Sequence, residues 1–260
     1  KSPVFRYAKS EYFFDKKNNV IYKGLGSIKH MSAQVAEDLY TLRDEKFSNF
    51  IDLLYAIQEL PNKPDSRQLD ILVKIGYFQE FGNAKALLTG IEVFNKFYKC
   101  KTIKVDKFKE MGYNIDDVMP YVGKATEKTL SQLDNKGIIL ALLRSMKMPK
   151  TTAVDMARWQ CEHLGYCSIS NPNEDPSNWL VLEIKKNNYG TSWAKLWNIC
   201  YGCAREYRLN KKFATANPVE VGDYIKAVIV EKPKYKKNED GSFSQVGNEV
   251  ISEVKCWKKN

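Results

Sequence analysis

The stretch IYKGLGSIKHMSAQVAEDL, residues 21–39, changes texture halfway along, and that change organises the first third of the chain. An extended, β-branched and aromatic run ends at Gly24 and Gly26. After Ser32, which is placed as a helix N-cap, Val35, Ala36, Leu39 and Leu42 recur at helical spacing. Upstream, Tyr12–Phe14 and Val20–Tyr22 read as two short strands around the turn Lys16-Lys17-Asn18-Asn19. Downstream, Phe47, Phe50, Leu53, Leu54 and Ile57 repeat the helical period with Ser48 as the expected cap. Prolines 61 and 64 mark a loop, Ser66–Ile75 reads as a third helix stopped by Gly76, and residues 84–98 form a fourth after Gly82-Asn83. Helical pairs joined by glycine turns make a small all-helical domain.

Farther out the pattern loosens and then switches. Lys99, Lys101, Lys104, Lys107 and Lys109 form a basic stretch, with two helices expected at 123–146 and 152–163. Asn171, Pro172, Asn173, Pro176 and Ser177 read as a linker. Beyond it, five strands are expected: Trp179–Lys185, Ser192–Cys200, Ala204–Arg208, Asp223–Glu231 and Glu249–Cys256. Turn signals fall at Asn188/Gly190, Tyr201-Gly202, Pro218 to Gly222, and Glu239-Asp240-Gly241. Five strands with a short helix between the third and fourth fit an OB-type Greek-key barrel, and a sandwich fragment fits nearly as well on strand count.

The composition limits the chemistry. Lys and Arg outnumber Asp and Glu 41 to 31, for a formal charge of +10, which favours a polyanionic partner. Residues 1–30 carry seven Lys or Arg against two acids, 94–112 six against two, and 205–260 twelve against eight. Hydrophobic residues at 43% are too many for a disordered tail, and no window reaches the ~18 apolar residues of a membrane span. The chain begins at Lys1, without Met or a charged-then-apolar leader, which suggests an excised or processed chain. Six irregularly spaced cysteines point to a reducing, cytoplasmic setting. Neither histidine, His30 or His163, lies in a nucleophile motif, and there is no phosphate-binding glycine motif of nucleotide enzymes. Adjacent carboxylates such as Glu37-Asp38 and Asp116-Asp117 diverge by about 100° on a helix and do not pair on one metal. No catalytic centre is legible.

Several strings, in order, resemble one family. IYKGLGSIKHMSAQVAEDL (Ile21–Leu39) resembles the segment where the fingers of bacterial DNA polymerase III alpha subunits run into a helix-hairpin-helix. FSNFIDLLYAI (Phe47–Ile57) is similar to the following helix, and RQLDILVKIGYFQEFGNAKALL (Arg67–Leu88) to the second hairpin. HLGYCSISNP (His163–Pro172) resembles the stretch before that family's OB domain. The resemblance implies an α+β multidomain chain: an end-of-fingers segment at 1–25, an all-helical helix-hairpin-helix domain at 26–98, a helical connector at 99–165, and a five-stranded OB-type barrel at 175–260. It implies a DNA-binding portion without catalysis, partnered by duplex and single-stranded DNA. The palm and its Mg2+ belong to the parent polymerase, so no cofactor is expected in this chain. A sliding clamp is a further implied partner, although no string in 99–155 matches a clamp peptide.

Helix-hairpin-helix turns bring backbone N–H groups to a DNA phosphate, contacting backbone and not sequence. In the first hairpin, Lys29 and Ser32 are the expected contacts, with His30 and Ser32 standing where the family has glycines; the close backbone approach is therefore in question, and His30 contributes charge only when protonated. The second hairpin keeps its glycines and offers Lys74, Gly76, Gly82 and Lys85, so it carries more weight. Gly76 and Gly82 fit a plain helix-stop reading equally. On the barrel, Trp193, Lys195 and Trp197 share one face by period two, suited either to stacking bases or, for the tryptophans, to filling the core. Lys234, Tyr235, Lys236 and Lys237 are expected in the loop between the last two strands, a clamp position in OB domains.

Two sharper motifs weigh less. Cys200-Tyr201-Gly202-Cys203, with Cys161, His163 and Cys167, would make a zinc set, but a single CxxC is weak and no metal is expected. Gln68-Leu69-Asp70-Ile71-Leu72 resembles a clamp-binding peptide but lies in an expected helix. Two alternatives remain beside the polymerase portion: a standalone nucleic-acid-binding protein of the same architecture, and a regulatory module whose basic loop meets an acidic protein.

Overall fold

A computed structural model describes residues 1–186 and 191–260; the turn expected at Asn188/Gly190 lies outside the described residues. The chain divides into two units, Lys1–Thr151 and Thr152–Asn260.

The first unit opens with a two-stranded ribbon, β1 (Phe13–Asp15) and β2 (Val20–Tyr22). Four helices follow: α1 (Ala33–Thr41), α2 (Phe50–Gln58), α3 (Ser66–Lys74) and α4 (Ala84–Phe97). Each starts at a side-chain cap, of which the sequence reading named Ser32: Ser32, Asn49, Asp65 and Asn83 accept the amide three residues on. The cap of α2 is Asn49 and not Ser48, because its Oδ1 meets the Asp52 amide at 3.0 Å. Leu39, Leu53, Leu54, Ile57 and Leu72 are fully buried. Phe5, Phe50, Phe78 and Phe81 pack ring on ring, with centroids 5.4–6.0 Å apart.

The expected helix over 123–146 is half wrong. Its first part is a hairpin, and with β3 (Thr102–Lys104) the strands β4 (Val122–Ala125) and β5 (Thr129–Leu133) make a three-stranded sheet in the order β3-β5-β4. The Thr126 and Thr129 hydroxyls close the turn by bonding each other and the local backbone, the competition with helix that such residues offer. Only after Asp134 caps the Gly137 amide does α6 (Asn135–Ser145) begin; α5 (Val105–Glu110) lies between β3 and β4.

In the second unit α7 (Ala153–Leu164) precedes a closed five-stranded barrel: β6 (Asn178–Lys186), β7 (Ser192–Asn198), β8 (Cys203–Leu209), β9 (Tyr224–Lys237) and β10 (Phe243–Lys259), with α8 (Lys211–Ala216) between β8 and β9. The order around it is β10-β8-β7-β6-β9, with β8 and β10 parallel. That is OB-like connectivity, and closure removes the sandwich alternative. Val181, Ala194, Leu196, Tyr207, Ile225 and Val254 fill the interior. A second cluster on the outside joins Ala157 of α7 to Leu180, Trp197 and Ile199.

Candidate nucleic-acid interface

The first hairpin turns through Ile28–Met31 into α1. Its backbone needs a left-handed residue, and His30 supplies it at φ +72° although it is not glycine. The turn thus takes a left-handed residue without glycine, at the strain a side chain brings to that region. Gln68 of α3 holds the turn by donating Nε2 to the His30 carbonyl at 2.7 Å. Gly24 lets the preceding chain press on residues 9–11: the Leu25 amide meets the Lys9 carbonyl at 2.7 Å, and a Cβ on Gly24 would stand 2.4 Å from the Glu11 carbonyl carbon. At the start of α1 the Ser32 hydroxyl accepts the Val35 amide, while the Ala33 and Gln34 amides meet no acceptor among the described residues. Lys29 and His30 are exposed beside them. Partial desolvation lowers the His30 pKa, the charges of Arg67 and Lys29 lower it further, and that of Asp65 acts against them. Arg67 of α3, which sequence reasoning passed over, joins Lys29 as a second cation beside the turn.

The second hairpin, favoured by the sequence, already has one of its helix-start donors taken. Gly76 is buried at φ +83°, where the Tyr77 and Gly76 amides return to the Leu72 and Val73 carbonyls and end α3. Lys74 is paired with Asp70 at 2.8 Å. Gly82 is exposed at φ +143°, but the amide of Lys85 is taken at 2.8 Å by the hydroxyl of Thr151, which also donates to Asn83. The Lys74 ammonium and the Lys85 amide, two of the expected contacts, are thus each bonded within the chain.

On the barrel the three residues expected on one face part company. Trp197 is buried in the outer cluster and donates its indole N–H to the Ile169 carbonyl at 3.0 Å, so it is unavailable for stacking. Trp193 is half-buried. Lys195 is exposed, with Glu183 and Glu206 directly opposite on the two neighbouring strands.

The basic run is strand and not loop. Residues 228–237 of β9 pair with β10 alone, forming a two-stranded arm whose turn is residues 238–242. Its root is built on Glu253, which is 3% exposed and accepts from Arg208, Lys232 and Asn210. Burial pushes that carboxyl up, but its hydrogen bonds to Lys232, Arg208 and Asn210 outweigh this and hold it below the ordinary glutamate range. Lys234 is paired with Glu249 at 2.6 Å. Lys236 and Lys237 form no ion pair among the described residues. Across the strands Tyr235 faces Gln245 and Lys237 faces Phe243, so exposed Tyr235 and Phe243 share a side with Lys237. Phe243 was missed because its partner is set by strand register, which local sequence does not reveal.

The remaining motifs resolve simply. Among the described residues no three His, Cys, Asp or Glu side chains converge on a point that could hold a metal. The clamp-like string lies in α3, with Leu69, Ile71 and Leu72 buried and Gln68 in the capping box.

Residues 7–88 match the helix-hairpin-helix motif. That span includes both hairpins and stops before the three-stranded sheet. No curated protein matches the chain. Among the described residues no helix is long and apolar enough to cross a membrane. A helix-hairpin-helix region followed by an OB-like barrel is an architecture suited to nucleic acid.

Proposed function

We propose that the chain binds DNA without catalysing a reaction on it, as the duplex-gripping and strand-guiding portion of a polymerase III alpha-like replication protein. The observation that carries the reading is the first hairpin: open Ala33 and Gln34 amides at a helix start, flanked by Lys29 and Arg67, within the span that matches the helix-hairpin-helix motif. Duplex phosphates meet that turn, and a single strand lies on the arm, with bases stacked on Tyr235 and Phe243 and phosphates near Lys236 and Lys237.

The carboxylates that neutralise Lys185, Lys232 and Lys234 favour a second reading, a regulatory module whose barrel meets a protein. Fluorescence anisotropy on labelled duplex and single-stranded DNA over a salt series separates the two. The DNA reading expects affinity to fall steeply with salt as counterions are released. It expects Lys29→Ala with Arg67→Ala to weaken duplex binding about tenfold, roughly 1.4 kcal/mol. Tyr235→Ala with Phe243→Ala should weaken single-strand binding by about 1–3 kcal/mol per unstacked base and spare duplex. No binding at low salt would refute it.

A further inference from the structure

Over its middle rungs the three-stranded sheet has one apolar and one polar face, and Val122 paired with Leu133 ends the polar side with apolar side chains. Ile103, Leu130 and Ala125 are opposite one another, and Ile103 and Leu130 are buried. On the other face the register aligns Thr102, Ser131 and Lys124 in one rung and Lys104 with Thr129 in the next. All five are exposed or, for Ser131, half-buried. No acid and no aromatic ring shares those rungs. The described ion pairs of this unit are Arg6–Glu80, Arg43–Asp44, Lys74–Asp70 and Lys136–Asp52, and none involves Lys104 or Lys124. This is the reverse of the barrel, where Lys185, Lys232 and Lys234 are each paired with glutamate.

We propose that this face is a separate contact for the phosphodiester backbone of DNA, a proposal that rests on the DNA reading above. Two strands across and two residues along, Lys104 and Lys124 stand about 12 Å apart at the backbone. On flexible side chains both ammonium groups reach phosphates of one strand at once. The Thr102, Thr129 and Ser131 hydroxyls between them are donors of the kind that position a backbone without reading bases. A face without aromatic rings has nothing to stack on bases, and one without carboxylates has no internal neutralisation to displace. The contact is therefore sequence-independent and electrostatic. It lies outside residues 7–88 and outside the barrel.

The test is duplex binding by the whole chain carrying Lys104→Ser and Lys124→Ser, measured by anisotropy across a salt series. A control carries Lys63→Ser and Lys136→Ser, which removes equal charge where the lysines already bond Gln58 and Asp52. The sheet variant is expected to lose affinity about three- to tenfold and to give a log-affinity against log-salt slope shallower by about two, the signature of two lost phosphate contacts. Its thermal midpoint should match that of the parent. The control should change less than twofold. If the parent binds and the sheet variant keeps affinity and slope, or loses no more than the control, the sheet is not a DNA contact although the DNA reading stands. If the variant binds DNA as the parent does but loses binding to polyglutamate, the face takes acidic protein and the proposal is overturned. If the parent binds no DNA at low salt, the DNA reading itself fails, and this proposal with it.

Discussion

The two hairpins of the first unit invert what their sequences advertise. The second keeps both glycines, yet Gly76 is a buried helix stop and Thr151 takes the Lys85 amide at the entrance to α4. The first has histidine and serine in the glycine positions, yet His30 adopts the required left-handed backbone and the equivalent Gln34 amide is open. What makes such a turn able to hold a phosphate is thus a free donor and an uncompensated cation. Glycine is one way to bring the backbone close, and on the proposed reading of the first hairpin another residue takes its place.

The largest effect that sharpens this contrast is expected at Gly24. With a Cβ 2.4 Å from backbone atoms of Ser10 and Glu11, Gly24→Ala must displace the segment leading into the first hairpin. It should destabilise the chain by about 2–3 kcal/mol in a urea titration. Duplex affinity should fall with it in chain that is still folded. A matching stability loss with unchanged affinity would detach the hairpin from binding.

Next come the two caps. Ser32→Ala and Thr151→Ala each remove a hydroxyl bonded to a helix-start amide and should cost about 1 kcal/mol. Only Ser32→Ala should weaken duplex binding. If Thr151→Ala instead tightened it several-fold, the second hairpin would be a latent phosphate site and the comparison would break.

The smallest effect concerns His30. Its pKa is lowered in the folded chain, so the unfolded chain takes up the proton first, and the folded state loses a little stability as pH falls through the ordinary histidine range. A bound phosphate favours the protonated ring. Duplex affinity should therefore rise modestly between about pH 7.5 and about pH 5.5, around the ordinary histidine value. That rise should vanish in His30→Gly, which also relieves the left-handed side chain and should raise the melting temperature slightly. Persistence of the rise in that variant would move the titrating group elsewhere.

The sequence made the helices legible because each joins a periodic apolar face to a cap within three residues, as Ser32 does with Val35 and Asp65 with Gln68. The barrel strands were legible from alternation and turn residues. What escaped was set by pairing at a distance. Thr151 closes the second hairpin from 66 residues away, and no local pattern announces that contact. Trp197 was read on a face with Trp193 and Lys195, which is right for the strand. Whether that face is open depends on the cluster of Ala157, Leu180 and Ile199 packed over it. The hairpin over 122–133 hid within an apolar-polar mixture that also fits a helix, and Phe243 became a neighbour of Lys237 only once register was fixed.

The arm grown from β9 and β10 has a consequence of its own. Carboxylates at Glu253 and Glu249 cancel its inner lysines, and Glu239 and Asp240 in the turn stand against Lys236 and Lys237, so charges of both signs run along the arm and leave little net field. From Lys232 to Lys237 the strand spans roughly 17 Å. That is more than twice the screening distance of about 8 Å at physiological ionic strength. Root and tip are therefore screened from each other, and raising salt would weaken the exposed charges of the tip first. The buried Glu253 cluster at the root would be little affected. A polyanion would meet this ribbon through local contacts with single side chains and not through a long-range field.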